Sequence, residues 1–309
     1  MPDSFAYLGP AGTFAQQALL TIPETRVGEL LPCAGVPAVA SAVRAGQARF
    51  GLVPIENSVE GPVSLTTDEL VVGTPLRIVR EVFLPVSFVL GAREEVPFES
   101  IKTVVSHPHA HAQVRGWVLA NLPHAQTVVA SSTAEAAALV ARGEYDASVS
   151  ARIAADNHDL TILAEQIEDT AGAVTRFALL ATPGPPPDPT GNDRTTFVVH
   201  IRQEQPGALS GVLLELASRS INLTRIESRP WRERIGEYHF ILECEGHVAD
   251  PRVGDALSAL HRTTADVRFL GSYPRGDRQN ERLPEVATDL AFAEAADWIA
   301  AVRRGERTE

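Results

Sequence analysis

Thr175, Arg176 and Phe177 stand side by side at the entrance to an apolar run, Ala178-Leu179-Leu180-Ala181, whose composition is that of a buried strand. Alternation along a strand sends Thr175 and Phe177 to one face and Arg176 to the other, unless the entrance is twisted or bulged. An arginine at that depth needs a carboxylate partner or a cleft to line, since an unpaired buried charge is costly. Its planar fork suits a bidentate contact with a carboxylate. Asp169 and Glu168, just upstream, would be the partners of an ordinary strand-end arginine, so a structural reading stands beside the functional one.

Other segments carry polar side chains where α/β proteins hold ligands. Gly9-Pro10-Ala11-Gly12 leads to Thr13, placed as the N-cap of a helix over 14–20, and the glycines let a ligand approach its free N–H groups. A strand over 50–56 ends in Glu56-Asn57-Ser58, the carboxyl end at which open α/β sheets place ligand contacts. Ser106 fits the N-cap of a helix running through Val118, Leu119 and Leu122, with Pro108 in its first turn. Gln113, nearly two turns on, shares the side of Ser106. Ser132-Thr133-Ala134-Glu135 is a capping box, which accounts for its serine without a ligand. Turns and caps are the plain alternatives for the other segments too. His107, His109 and His111 alternate, but only His107 and His111 share a helix face and no acid completes a set, so no metal is expected.

Strand and helix patterns alternate over 1–181, which predicts a doubly wound α/β unit. Apolar crossings near 78–90 and 160–167 suggest two lobes with a cleft between them. Residues 182–193 form a proline-rich spacer and mark a domain boundary. From 194 to 275 the order is βαββαβ, a ferredoxin-like domain whose sheet edges invite pairing with another chain. The turn joining its two middle strands is placed at 232–236. The tail, 276–309, begins as a charged run and ends in a helix around Leu290, Ala293, Trp298 and Ile299.

The 309 residues, 44% hydrophobic, are enough for two domains with a sizeable core. A formal net charge of −12 argues against nucleic-acid binding, and only a local cluster of donors could hold an anion. Lys102 is the single lysine, which leaves Schiff-base chemistry one weak candidate. Cys33 and Cys244 lie far apart without metal or disulfide spacing. Strand-like sequence begins by Phe5, leaving no room for a signal peptide, and no apolar run approaches membrane-spanning length. The expectation is a soluble, cytoplasmic protein.

Several of these motifs, in this order, resemble prephenate dehydratase, over nearly the whole chain to about Pro274. They are Gly9-Pro10-Ala11-Gly12-Thr13-Phe14, Pro54-Ile55-Glu56-Asn57-Ser58, Ser106-His107-Pro108 with Gln113, and Thr175-Arg176-Phe177. Gly207-Ala208-Leu209-Ser210 and Glu227-Ser228-Arg229-Pro230 look like the phenylalanine-binding motifs of an ACT regulatory domain. His109, where the family usually has glutamine, and Val114, where cysteine is common, are departures. The resemblance implies a two-lobed catalytic domain similar to periplasmic binding proteins, followed by an ACT domain. It also implies conversion of prephenate to phenylpyruvate, with loss of carbon dioxide and water and no cofactor.

On that reading Thr175 is the residue most tied to activity, positioning the leaving hydroxyl or relaying a proton. Arg176 is expected to hold the pyruvyl carboxylate, its strand parity counting against direct contact. Glu56 is a proton source only if burial raises its pKa. Thr13, Asn57, Ser58, Ser106 and Gln113 are expected as neutral donors around the substrate, with Phe177 beside them, and helix N-termini beyond Thr13 and Ser106 as partial positive charge. Phenylalanine is expected at an interface between ACT domains of a homodimer or a dimer of dimers. Two rivals remain: arogenate dehydratase, and a non-catalytic amino-acid or carboxylate sensor of the same fold.

Overall fold

The computed structural model describes residues 3–201, 206–230, 238–277 and 283–306. The chain divides into two compact units. One comprises Met1–Glu69 and Val82–Thr182, the other Leu70–Glu81 and Pro183–Glu309.

The first unit contains two sheets. In one, the strands run in the order β2 (Glu29–Cys33), β1 (Ser4–Leu8), β3 (Phe50–Asn57), β11 (Val174–Ala181), β5 (Arg77–Pro85, of which only 82–85 belong to this unit), and the short β4 (Gly61–Pro62) pairs with β3. β1 is parallel to both neighbours and its centre, Phe5-Ala6-Tyr7, is buried, as a strand covered on both faces must be. Helices α1 (Phe14–Leu19), α2 (Val36–Arg44) and α3 (Ser64–Val71) follow β1, β2 and β4 in the chain. Gly51 lets α2 lie close on β3: a Cβ there would come within 2.7 Å of Val39 and 2.8 Å of Val43. The second sheet runs β10 (Thr161–Glu165), β6 (Val89–Ala92), β9 (Ala147–Ser150), β7 (Thr103–Ser106), β8 (Gln126–Val129). It carries α4 (Pro108–Gln113), α5 (Arg115–Asn121), α6 (Thr133–Ala141) and α7 (Arg152–Asn157). Two apolar clusters fill this lobe, one around Phe88, Leu90, Val104 and Val118 and one around Val105, Ala137, Val140 and Ala154.

The second unit is βαββαβ: β12 (Asp193–His200), α8 (Ala208–Ala217), β13 (Leu223–Pro230), β14 (Tyr238–Glu245), α9 (Pro251–Thr263) and β15 (Asp266–Pro274), followed by α10 (Asp289–Arg303). The antiparallel sheet runs β13-β14-β12-β15 and packs Phe197, Val199, Leu242 and Cys244 against Val212 and Leu216 of α8 and Val253, Ala256 and Leu260 of α9. Leu70–Glu81, which the sequence reading gave to the first domain, belongs to this unit. Arg268 donates to the carbonyls of Val71 and Gly73, and the Arg77 guanidinium lies 5.0 Å from the Phe269 ring centre. Glu81, fully buried, takes Arg194 Nη1 at 2.6 Å and the Gly276 N–H at 2.7 Å. The expected turn at 232–236 lies outside the described residues.

Candidate active site

A cavity of about 380 Å³ opens in the first unit between the walls of its two sheets, within the range of small-molecule pockets. One wall is built from Leu8, Thr13 and Phe14 at the β1–α1 turn, Pro54 and Asn57 of β3, and Thr175 and Phe177 of β11. The other comes from His107, His109 and Gln113 around α4 and Ser131, Ser132 and Thr133 at the start of α6, with Phe88 from the crossing. The wall therefore includes the first turns of three helices, whose initial N–H groups have no partner within the helix. Among the described residues no arginine, lysine or carboxylate belongs to the lining.

Strand pairing sets the centre of the site. β11 runs antiparallel to β3 with Thr175 opposite Asn57 and Arg176 opposite Glu56, but Phe177 faces Pro54, so β3 contains one extra residue, Ile55. Strict alternation puts Asn57 and Pro54 on opposite faces; the bulge brings both into the lining, beside Thr175 and Phe177. Asn57 Oδ1 accepts the N–H groups of Val59 and Glu60 at 2.8 and 3.1 Å, an Asx turn that fixes which way the amide faces. Its Nδ2 then donates to Thr175 Oγ1 at 2.8 Å.

Of the residues singled out from the sequence, Thr13, Asn57, Gln113, Thr175 and Phe177 line this cavity, while Glu56, Ser58, Ser106 and Arg176 lie outside its lining. Arg176 is buried, and alternation turns it away from the face of Thr175. Glu56 is half-buried on the strand opposite it and also pairs with Pro62 of β4. Ser58 ties strand ends together: its N–H donates to Val174 O and its Oγ accepts Val174 N–H, each at 2.9 Å. Ser106 is fully buried and donates to Val149 O at 2.6 Å, so it is a strand residue and not the helix cap.

The cap is His107, whose Nδ1 accepts the His109 N–H at 3.3 Å. Burial, and then His109, hold the His107 imidazole below its ordinary pKa, with His111 adding to the effect and Glu60 opposing it. The single helix expected through Leu122 is two, broken at Val114, with Asp169 Oδ1 and Oδ2 accepting the N–H groups of Trp117 and Gly116. Asp169 is thus engaged at a helix start. Glu168 accepts Phe88 N–H at 3.0 Å. Half of the capping box forms, Ser132 Oγ accepting Glu135 N–H at 3.0 Å, while the Glu135 carboxylate takes the N–H of Ser131 at 2.8 Å instead of that of Ser132, and both serines also line the cavity. Phe14 and Phe88 meet edge to face there, 5.3 Å between centres.

A family model described as prephenate dehydratase matches residues 5–185. A prephenate dehydratase of Amycolatopsis methanolica is 48% identical over 303 residues, covering 98% of each chain. The chain belongs to the prephenate dehydratase family. Its fold is that of the prephenate dehydratase of Arthrobacter aurescens, solved in complex with L-Phe: TM-score 0.91, 43% identity, 97% of this chain and 99% of the other covered. The fold also extends, at TM-score 0.79 and 29% identity over 89% of this chain, to GqqA, described as a quorum-quenching acylase. Among the described residues no group of histidine, cysteine and acidic side chains has the makings of a metal site, and no helix is long and apolar enough to cross a membrane.

In this family member the segments expected to bind an effector sit in the second unit. Gly207, at φ +88°, caps α8, and Ala208, Leu209 and Ser210 form its first turn. Glu227, Ser228, Arg229 and Pro230 end β13, an edge strand. Glu227 is held by Arg225 Nη2 at 2.6 Å and by Arg229 Nε at 2.6 Å.

Proposed function

We propose that the cavity of the first unit converts prephenate to phenylpyruvate, as a carbon–oxygen lyase. The balance is prephenate dianion plus one proton giving phenylpyruvate anion, carbon dioxide and water. The ring carboxylate leaves as carbon dioxide, its C–C electron pair enters the ring, and the C4–O bond breaks as the hydroxyl takes the proton. Aromatisation drives the step, so the protein need only orient the dianion and assist the leaving hydroxyl. The observation that carries this reading is the Asn57–Thr175 hydrogen bond at the cavity wall. With an Oγ1 lone pair engaged by Asn57, the Thr175 proton is available to donate toward the C4 oxygen.

Among the described residues the lining holds neither arginine nor lysine. Thr13, Gln113, Ser131 and Thr133, together with helix first turns, supply donors for the carboxylates. The absence of a guanidinium among the described lining residues also avoids ion-pairing the carboxylate that must depart, which would stabilise the ground state. Phe14, Phe88 and Phe177 offer apolar surface to the ring as it becomes aromatic.

The second unit serves as an ACT regulatory domain that binds L-phenylalanine, with Gly207–Ser210 of one copy and Glu227–Pro230 of another forming the pocket. The β13 edge is suited to pairing between copies in a homodimer or dimer of dimers. The enzyme works in the cytoplasm. Incubating the full chain with prephenate, and separately with arogenate, while following the aromatic product tests the reading. Faster turnover of prephenate, inhibited by phenylalanine, is expected; preference for arogenate, or no turnover of either, overturns it.

A further inference from the structure

Two contacts flank the cavity and join the halves of its wall. On one side Gly12, at φ +92°, fits against the second lobe so closely that a Cβ would lie 3.1 Å from Ala154 Cα and 3.4 Å from Ala134 Cβ. On the other side Glu60, in the turn between β3 and β4, reaches across to α4. Its Oε2 lies 2.6 Å from His109 Nδ1 and its Oε1 accepts from Gln113 Nε2 at 2.8 Å. A carboxylate offers only acceptors, so His109 is the donor through Nδ1–H. His109 and Gln113 are one helical turn apart and both belong to the cavity lining, whereas Glu60 does not.

We propose that Glu60 is a positioning residue for the dehydratase reaction, a clasp that draws α4 to the β3–β4 turn and holds Gln113 and His109 in the arrangement that receives substrate. The proposal rests on the dehydratase reading above. Three features support it. Both carboxylate oxygens are used, each on a different side chain of one helix face, which fixes orientation as well as distance. The turn that aims Glu60 is held by Asn57 Oδ1 through the Glu60 N–H, so the clasp and the Thr175 partner share one rigid turn. The pair is also partly exposed, 38% at Glu60 and 64% at His109, which keeps each contact individually weak and the clasp able to open for substrate entry.

The test is steady-state kinetics on prephenate with the full chain and its Glu60→Ala, Glu60→Gln, His109→Ala and Glu60→Ala/His109→Ala variants. Glu60→Ala is expected to raise KM about fivefold with kcat nearly unchanged, the size of two modest exposed contacts. His109→Ala raises KM less, and the double variant is no worse than Glu60→Ala, because both remove the same contact. Glu60→Gln keeps one acceptor and falls between wild type and Glu60→Ala. An unchanged KM, a lowered KM (Glu60 competing with substrate), a lowered kcat at constant KM (Glu60 acting in the chemistry) or an additive double variant each overturns the clasp. Hydrogen exchange of the amides of 107–113 in the unliganded protein gives a readout independent of turnover. Faster exchange in Glu60→Ala supports the clasp and equal exchange overturns it, whereas an inactive wild type would sink only the dehydratase reading.

Discussion

Asn57 Nδ2 donates to Thr175 Oγ1 across paired strands, 2.8 Å apart and 118 residues apart in sequence. Because Asn57 Oδ1 is already committed to two backbone N–H groups, the amide cannot reverse without losing them. The hydroxyl therefore receives a hydrogen bond from Asn57 and keeps its own proton to give.

That polarity is open to test by substitution. Thr175→Val is expected to lower kcat about 100-fold or more, the scale of a lost proton donor, while Thr175→Ser keeps most of the rate. Asn57→Asp should be worse than its small change in shape suggests: the carboxylate would draw the Thr175 proton toward itself and set a negative charge beside the substrate. Measuring kcat and KM alongside the thermal midpoint separates this from loss of the Asx turn.

Arg176 supports a different expectation. It is 6% exposed and faces away from the side shared by Thr175 and Phe177. Arg176→Lys is expected to leave KM for prephenate near the wild-type value while lowering stability by about 1–3 kcal/mol, because a buried ammonium group cannot reproduce the planar fork of donors of a guanidinium. A large rise in KM with unchanged stability would restore the bidentate substrate role.

In the second unit, Glu81 is the buried hub for Arg194 and the Gly276 N–H. Arg194 keeps Asp277 at 3.2 Å when Glu81 is removed, so Glu81→Ala should destabilise that unit by about 1–3 kcal/mol, the cost of lost hydrogen bonds to a buried charge. Chemical denaturation followed by a probe in the second unit checks this.

His107 predicts a pH dependence of stability. Its folded pKa lies below the ordinary 6.5, chiefly through burial, so the unfolded chain binds the proton more readily. Stability from this group is present above 6.5 and declines as pH falls through the folded value. Protonation at Nδ1 would also remove the acceptor that caps α4. His107→Asn, a neutral cap, should show a smaller drop in thermal midpoint between pH 7 and pH 5, as scanning calorimetry can measure.

Much of the site could be read from residue order alone, and the remainder fails for definable reasons. Alternation put Thr175 and Phe177 on one face, and both line the cavity, whereas Arg176, put on the other, is not among the lining residues. Asn57 beside Pro54 was not legible, because the extra residue Ile55 changes the phase of β3 and only the partner strand reveals it. His107 was legible in principle: proline at the first helical position makes the preceding residue the cap and holds it extended. The strand Glu29–Cys33 went unnoticed since it contains Pro32, tolerable only because β2 is an edge. Glu60 looked like an ordinary turn residue, because both its side-chain partners lie about 50 positions away. The same holds for Leu70–Glu81, whose allegiance to the second unit depends on Arg268 and Arg194, more than a hundred positions downstream.

A wall made from the starts of three helices has a consequence for experiment. The N–H groups of those first turns are main chain, which replacing side chains with alanine leaves chemically intact. Such a survey would report those positions as inert. Exchanging single amides for esters at Ala15 or Ala110 deletes the N–H while sparing the residue, and would make that hidden share of the affinity measurable.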